Sequence, residues 1–231
     1  MAVFRDMQRQ APSNHSRETG AYSDDRGETC HKSSFADPGG LRTAAFWAGN
    51  MVEEADGTIV APVYGYQTAE DLGIHFYSCH LVRSHDGGQS WGDWSIVGND
   101  PQRMCTYSET SLVAFENNIW VVFMRTEYVY AVPHILTTTR SVSTDRGRTW
   151  TVPEPCAVSG VYGSLLLPDD GVAIAAQNTC GWGLTITYDY GHTIAYALPA
   201  TYAPTRTGVL DDKTFWIYNQ HGSIVSIYQK N

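Results

Sequence analysis

The chain has 231 residues, of which 42% are hydrophobic, 12% aromatic and 17% charged. Its formal net charge of −9 argues against nucleic acid as a partner, because phosphate binding favours a basic surface. No apolar run approaches the ~18 residues of a membrane-spanning helix, so we expect no membrane partner. The length fits one substantial domain, and the 21 glycines and many aromatic residues favour a β-rich fold.

The N-terminal residues 1–44 are polar and show no sustained periodicity, so we expect a loop, a tail, or strands that close a ring. They contain no apolar stretch of a secretory signal. The protein is therefore expected inside a cell, or with a signal that has been removed or bypassed. The five cysteines lack the Cys-x-x-Cys spacing of metal sites and are expected to be buried free thiols, with no metal and no cofactor.

From Ala45 onward the sequence alternates between strand-like runs and turns, and we assign residues 45–231 to one domain. Asx-Gly and related dipeptides between β-branched runs predict four plain hairpins. Their turns lie at Asp56-Gly57, Asn117-Asn118, Asp170-Gly171 and Asp212-Lys213. The flanking strands are predicted at Asn50–Glu54 and Thr58–Tyr64, Thr110–Phe115 and Ile119–Met124, Val172–Ala176, Thr214–Tyr218, and a closing Ser223–Tyr228.

A second type of turn alternates with the plain hairpins. The pattern Ser/Thr-x-Asp-x-Gly-x-Ser/Thr, followed by an aromatic or aliphatic residue, occurs at Ser84–Trp91 and Ser143–Trp150, and in a weaker copy at Thr187–Ile194. The strands before these copies are predicted at Phe76–Arg83, Ile135–Val142 and Leu184–Tyr188. Recurrence at intervals of tens of residues indicates a repeat architecture.

The chemistry of this motif predicts a structural role. An aspartate can accept hydrogen bonds from backbone N–H groups a few residues later, and a glycine suits a position with positive φ. The final aromatic or aliphatic side chain would return the chain to the core. We therefore interpret these residues as structural: Asp86, Gly88, Trp91, Asp145, Gly147, Trp150, Asp189 and Gly191.

Two hairpins make one four-stranded antiparallel sheet, the blade of a β-propeller. The repeated motif resembles the Asp-box, or BNR repeat, of the sialidase (neuraminidase) superfamily. This resemblance implies an all-β propeller. The predicted hairpins of this chain suffice for about four to five blades, fewer than the six of the sialidase ring. It also implies a glycoside hydrolase that acts on a glycan or glycoconjugate, removing a terminal sialic acid or a related acidic sugar with retention of configuration.

The resemblance also assigns catalytic roles by position. Glu109 and Arg125 lie between two consecutive Asp-boxes, where the family has a glutamate that pairs with the nucleophile and an arginine that holds the substrate carboxylate. Tyr202 takes the place of the nucleophile. Asp71 takes the place of the acid/base residue, with the adjacent Glu70 as the alternative.

The arginine pattern departs from that of the family, which grips the carboxylate with three arginines. Only Arg125 matches, while Arg42 is displaced and Arg206 would have to compensate. An incomplete set fits a second class better: a non-catalytic propeller that binds glycan or protein through the same face. The sequence leaves the oligomeric state open.

Overall fold

The computed structural model describes residues 21–35, 43–46, 51–130, 136–158, 161–167, 170–178, 181–200, 204–209, 214–219 and 224–229. Within this part of the chain the secondary structure is β, with one short helix, α1 (Ala69–Gly73). The predicted all-β class is confirmed. None of the helical structure described here has the length and apolar character needed to cross a membrane.

The strands form a series of separate sheets. A two-stranded hairpin contains β1 (Ala21–Tyr22) and β2 (His31–Lys32). The first large sheet has the order β3-β8-β7-β6-β4, and β5 also pairs with β6. Its strands are β3 (Ser34–Phe35), β4 (Thr43–Phe46), β5 (Val52–Glu53), β6 (Ile59–Tyr66), β7 (Ser78–Ser84) and β8 (Ser90–Gly98).

Two further sheets have four antiparallel strands in simple order, and the next has three. The first of these contains β9 (Cys105–Ala114), β10 (Trp120–Tyr128), β11 (Leu136–Ser143) and β12 (Glu154–Pro155). The second contains β13 (Val161–Leu166), β14 (Val172–Asn178), β15 (Gly181–Thr187) and β16 (Tyr196–Ala200). The three-stranded sheet contains β17 (Pro204–Val209), β18 (Thr214–Asn219) and β19 (Ile224–Gln229).

Neighbouring sheets contact each other through one strand of each sheet, namely β6, β9, β13 and β17. Strand β9 contacts β6 of the preceding sheet, and β13 contacts both β9 and β17. Apolar side chains fill the spaces between neighbouring sheets. Leu81 and Leu112 belong to one buried cluster between the first two large sheets, and Phe123 and Ile174 belong to a second cluster between the next two. Successive antiparallel sheets packed through their inner strands are the arrangement of a β-propeller.

The plain hairpins occur at the predicted turns. Gly57 has a φ of +85° and its N–H donates to the Glu54 oxygen at 2.9 Å. Asn118 and Asp170, at φ values of +63° and +59°, occupy the corresponding turns of the next two sheets. The turn predicted at Asp212-Lys213 lies outside the described residues, although β17 and β18 on either side of it pair as expected.

Hydrogen bonding within the Asp-boxes matches the prediction. In the first box the Asp86 Oδ1 atom accepts from the Ser90 N–H, and the Ser84 hydroxyl oxygen accepts from the Gly88 N–H, both at 2.8 Å. Asp145 and Asp189 accept from Thr149 and Thr193 in the same way.

The glycines and terminal residues of the boxes are less uniform. The glycines Gly88, Gly147 and Gly191 have φ values of +93°, +74° and +92°, as expected for this position. Trp91 is 1% exposed and Trp150 is half-buried. Ile194 is 41% exposed, however, so the expectation that the last residue returns to the core is wrong for the third box.

A fourth Asp-box, which the sequence reading missed, joins β1 to β2. Asp25 Oδ1 accepts from the Thr29 N–H at 2.8 Å, the Ser23 oxygen accepts from the Gly27 N–H at 2.7 Å, and Gly27 has a φ of +93°. This hairpin is joined to the first box, because the Ser34 N–H donates to the Gln89 oxygen at 2.8 Å. Part of residues 1–44 therefore consists of strands, and the closure of a ring by this segment stays a prediction.

The alternation of strands separates two ends of each sheet. The plain hairpins and the Asp-boxes lie at one end, here called the box end. The helix α1 joins β6 to β7 at the other end, here called the loop end. Backbone Tyr107 N–H donates to the Tyr77 oxygen at 3.0 Å, and the Cys79 Sγ and Thr110 Oγ1 atoms lie 2.7 Å apart. Strands β7 and β9 therefore run in the same direction, and their sheets share the same loop end.

The cysteines that the structure describes are free thiols, as expected, but their burial differs from the prediction. Cys79 is buried, Cys105 and Cys156 are half-buried, and Cys30 is exposed beside the fourth Asp-box. Cys180 lies outside the described residues. Among the described residues, no cluster of three or more His, Cys, Asp or Glu side chains has the arrangement of a metal site.

Candidate active site

Glu109 and Arg125 lie on adjacent strands and form a direct ion pair. The Arg125 Nη1 atom donates to the Glu109 Oε1 atom at 2.8 Å. Glu109 lies on β9 and Arg125 on β10, whose register places Arg125 opposite Ser108. The structure therefore brings together the two residues that the sequence placed between consecutive Asp-boxes.

The backbone at Glu109 is strained. Its φ is +46°, in the left-handed region that residues with a Cβ seldom occupy. The cause is a β-bulge, because the β9–β10 register shifts between Phe123 and Arg125 and leaves Glu109 and Thr110 opposite Met124 alone. Such conformations cost about 1–3 kcal/mol and cluster at functional sites.

The Glu109 carboxyl group is buried and only partly bonded. Its side chain is 11% exposed, and its Oε2 atom has no hydrogen-bond partner among the described residues. Burial raises the pKa of Glu109 above its usual value, although the Arg125 guanidinium acts in the opposite direction. One buried carboxylate oxygen is thus left without a hydrogen bond among the described residues and can accept a proton.

A third charged residue, Glu127, also belongs to this cluster and was missed by the sequence reading. The Arg125 Nη2 atom lies 2.6 Å from the Glu127 Oε1 atom. The signal was available, because residues two apart on a strand share a face. Arg125 is 28% exposed and lies between two carboxylates, so both ends of its guanidinium fork are occupied.

Asp71 lies in α1 at the loop end and is 1% exposed. Its Oδ1 atom accepts from the Arg103 Nε atom at 2.7 Å, and its Oδ2 atom accepts from the Thr68 N–H at 2.8 Å. The Asp71 N–H donates in return to the Thr68 hydroxyl at 3.1 Å, which completes a capping box. Glu70, the alternative acid, is 71% exposed and lies 3.6 Å from Arg103.

Two tyrosines stand on either side of α1. The Tyr66 hydroxyl donates to the Tyr77 hydroxyl at 2.6 Å, and their rings stack with centroids 4.4 Å apart. Burial, with a contribution from the Tyr77 hydroxyl, raises the pKa of Tyr66. Since a nucleophilic tyrosine needs an adjacent base and a lowered barrier to ionisation, Tyr66 is a poor substitute for the predicted nucleophile.

Three further residues were predicted for the site: Tyr202, Arg42 and Arg206. Tyr202 and Arg42 lie outside the described residues. Arg206 lies on β17, where its backbone pairs with Tyr218. Tyr202 falls between Ala200, the last residue of β16, and Pro204, the first of β17. Its role as nucleophile stays a prediction.

Comparison with known proteins identifies the family. Residues 2–181 match the family model described as "BNR repeat-like domain". The chain belongs to this family and is a sialidase-like protein of the BNR superfamily, as its Asp-boxes indicate. No curated protein sequence matches the chain.

Solved structures share the fold at low sequence identity. An uncharacterised protein from Dyadobacter fermentans DSM 18053 has a TM-score of 0.68 and 20% identity over 92% of this chain and 64% of its own. The Hadza microbial sialidase Hz136 has a TM-score of 0.59 and 14% identity over 79% of this chain and 44% of its own. The Penicillium chrysogenum α-L-arabinanase, complexed with arabinobiose, has a TM-score of 0.67 and 12% identity over 93% of this chain and 67% of its own.

The matched structures share the fold with this chain over part of their own length. The chain spans 64% and 44% of the lengths of the first two proteins. At these identities the likeness establishes the fold alone. Since the matched structures include a sialidase and an arabinanase, the fold is that of glycoside hydrolases with different sugar preferences.

Proposed function

We propose that the protein is a glycoside hydrolase in which Glu109 is a working carboxylate. The observation that supports this most strongly is the combination at Glu109 of burial, a free Oε2 atom, an arginine partner and a φ of +46°. A packing residue gains nothing from such strain, whereas a carboxylate that must hold one oxygen ready to accept a proton does. The fold shared with glycoside hydrolases supports the same conclusion.

In the mechanism that we propose, Tyr202 is the nucleophile and Glu109 its base. A free phenol has a pKa near ~10, so a carboxylate must accept its proton as it attacks. The phenolic oxygen bonds to the anomeric carbon while the glycosidic carbon–oxygen bond breaks, and Asp71 donates a proton to the leaving oxygen. A water molecule then gives a proton to Asp71 and its oxygen bonds to the anomeric carbon, while the bond from that carbon to the Tyr202 oxygen breaks and Glu109 returns its proton to the phenolate. Two displacements in sequence retain the configuration.

This mechanism makes a demand on Asp71. Both of its oxygens accept hydrogen bonds, one from Arg103 and one from the Thr68 N–H. To donate a proton, Asp71 must first leave Arg103, whose side chain is 34% exposed and can move into solvent. Binding of a substrate at the loop end would separate Arg103 from Asp71.

The experiment is a hydrolysis assay with a panel of 4-methylumbelliferyl glycosides that includes the α-sialoside, the α-L-arabinofuranoside and the β-D-galactoside. The wild-type chain is expected to hydrolyse at least one of them, and the Tyr202→Phe variant is expected to lose about 10²-fold or more in kcat. Turnover that Tyr202→Phe leaves unchanged would remove Tyr202 from the mechanism. No turnover of any glycoside would contradict the hydrolase proposal.

A second candidate function is glycan binding without catalysis. Asp71 accepts hydrogen bonds at both oxygens, and both Nη atoms of Arg125 lie close to a carboxylate, so these side chains are already held in place, as suits a static binding face. A glycan array would reveal such binding. Retention of glycans by a chain that hydrolyses none of the panel would favour this candidate over the enzyme.

A further inference from the structure

The bulge that carries Glu109 needs a contact that fixes it. At a β-bulge the extra residue is not paired in the ladder of the two strands, so the ladder alone does not hold it. Regular pairing would remove the positive φ of Glu109, which is +46°. A one-residue slip of the strand would also move its side chains to the other face of the sheet. A contact that fixes the bulge therefore decides where the Glu109 carboxylate lies.

The neighbouring sheet supplies such a contact at Thr110, the second residue of the bulge. The Thr110 Oγ1 atom lies 2.7 Å from the Cys79 Sγ atom on β7, within hydrogen-bond distance. Both residues are 0% exposed. Burial raises the pKa of the Cys79 thiol to about 12, so the thiol stays protonated and the contact joins two neutral groups. Thr110 is thus bonded to the neighbouring sheet, while Glu109 is bonded within its own sheet to Arg125.

The residue opposite the bulge meets the same region of the neighbouring sheet. A Cβ on Gly98 of β8 would lie 2.7 Å from the Met124 Sδ atom, so the methionine fits there because Gly98 has no side chain. Cys79 and Gly98 are themselves cross-strand partners, and the β7–β8 register shifts between Cys79 and His80. The bulge therefore packs against an irregularity of the first large sheet, and its two opposed residues, Thr110 and Met124, meet one cross-strand pair.

We propose that Cys79 and Thr110 are positioning residues, which fasten the bulge to the first large sheet and so hold the Glu109 carboxylate in place. Since both are fully buried, they act through Glu109 and not by contacting a substrate. This proposal rests on the proposed role of Glu109 as a base and deepens it, because it names what keeps that base in its strained position.

The test replaces the Thr110 hydroxyl with a methyl group, in Thr110→Val. The pKa of Glu109 is measured by NMR titration of chains that contain isotope-labelled glutamate, and a Glu109→Gln variant assigns its signal. Burial raises this pKa in wild type, against the opposing effect of Arg125 and with a smaller contribution from Glu127. In Thr110→Val the carboxylate leaves its buried position, so we expect its pKa to fall toward the ordinary value. Thr110→Ser keeps a hydroxyl and should retain the raised pKa.

Thr185→Val is the matched control. Thr185 is also 0% exposed, on the interior strand β15, but its hydroxyl has no hydrogen-bond partner among the described residues. This variant should leave the pKa of Glu109 unchanged.

Kinetics provide a second measurement, on the glycoside that wild type hydrolyses fastest. We expect Thr110→Val to lower kcat by about tenfold or more and to change KM by less than about twofold, while Thr110→Ser and Thr185→Val keep the wild-type kcat. The acid limb of kcat/KM against pH should move to lower pH in Thr110→Val, because the base stays ionised to lower pH. A loss of stability alone would not move this limb.

The two measurements separate this proposal from the hydrolase function. A lowered pKa of Glu109 in Thr110→Val supports the positioning role even if no glycoside is hydrolysed or kcat is unchanged, in which case only the catalytic role of Glu109 fails. The proposal is overturned if the wild-type pKa is ordinary or is unchanged in Thr110→Val, or if Thr110→Ser or Thr185→Val lowers it equally. Should Thr110→Val not fold, Cys79→Ala removes the other partner of the same contact, and the same outcomes decide.

Discussion

The Nη2 atom of Arg83 donates to the backbone oxygen of Gly147 at 2.9 Å, from strand β7 of one sheet to the Asp-box of the next. The same guanidinium donates to the Arg146 oxygen at 3.2 Å. The arrangement recurs one sheet later, where Arg140 Nη1 donates to the Tyr190 oxygen of the third box at 2.7 Å. The boxes therefore do more than close turns, since they also connect neighbouring sheets.

We expect Arg83→Met to lower the free energy of unfolding by about 2–3 kcal/mol, because Arg83 is 1% exposed and its removal breaks the hydrogen bonds that its guanidinium donates to the backbone oxygens of Asp93, Arg146 and Gly147. Urea denaturation measures this change. The matched variant Arg146→Met removes a side chain that is 58% exposed, and should cost less than about 1 kcal/mol. Equal losses of unfolding free energy in the two variants would show that the buried hydrogen bonds of Arg83 do not stabilise the fold.

The box glycines provide a test that separates strain from packing. A Cβ on Gly147 would lie 2.8 Å from Leu81 Cδ1 and 2.9 Å from Trp120 Cε3, while a Cβ on Gly87 would have no atom within 4 Å. Both have positive φ, at +74° and +71°. We expect Gly87→Ala to cost about 1 kcal/mol and Gly147→Ala about 2–4 kcal/mol, because only the second adds overlap to backbone strain. Thermal melts of both variants would reveal whether the costs differ in this order.

Acid should weaken the boxes in a defined range of pH. Hydrogen bonds from Ser90 lower the pKa of Asp86 to about 2. A carboxyl whose pKa is lower in the folded chain than in the unfolded chain, near ~3.9, stabilises the fold above that value. The stabilisation is lost as the pH falls through the folded pKa, so the range for Asp86 is about pH 4 to pH 2.

Asp86→Asn should therefore reduce the melting temperature by about 2–4 °C at pH 7 and show a weaker dependence on pH below 4 than wild type. Melting curves from pH 2 to pH 7 measure both effects. Glu116→Gln controls for the loss of an exposed acidic group. An acid dependence identical to that of wild type would mean that Asp86 does not contribute to it.

Local patterns made much of the fold predictable. Each Asp-box is closed by bonds between residues at most four apart, so Asp86 and Asp145 could be interpreted from eight letters of sequence. The fourth box follows the same pattern from Ser23 to Thr29 but ends in Cys30, and the requirement for an aromatic or aliphatic last residue concealed it. The helix α1 also had a local signal in the capping box formed by Thr68 and Asp71.

The sequence indicated Glu109 and Arg125 as candidate site residues, but not the backbone conformation and ion pairs that the structure gives them. Glu109 and Arg125 could be selected from their position between boxes. The φ of +46° at Glu109, however, depends on how β10 pairs with β9, which no local pattern specifies. The Asp71–Arg103 pair joins residues 32 positions apart, and the Arg83–Gly147 contact joins residues 64 apart. Such contacts follow from packing between elements, so they appear only when the fold is assembled.

The most direct test of the account is chemical rescue at Glu109. Glycine tolerates positive φ, so Glu109→Gly keeps the backbone of the bulge and removes the carboxylate. On the glycoside that wild type hydrolyses fastest, we expect kcat to fall by about 10²–10⁴-fold, and added formate to restore at least about tenfold of it by acting as the missing base. In the control variant Glu116→Gly, we expect kcat to be unchanged and formate to have no effect. Undiminished kcat in Glu109→Gly, or a loss that formate does not relieve in a folded variant, would contradict the role assigned to Glu109.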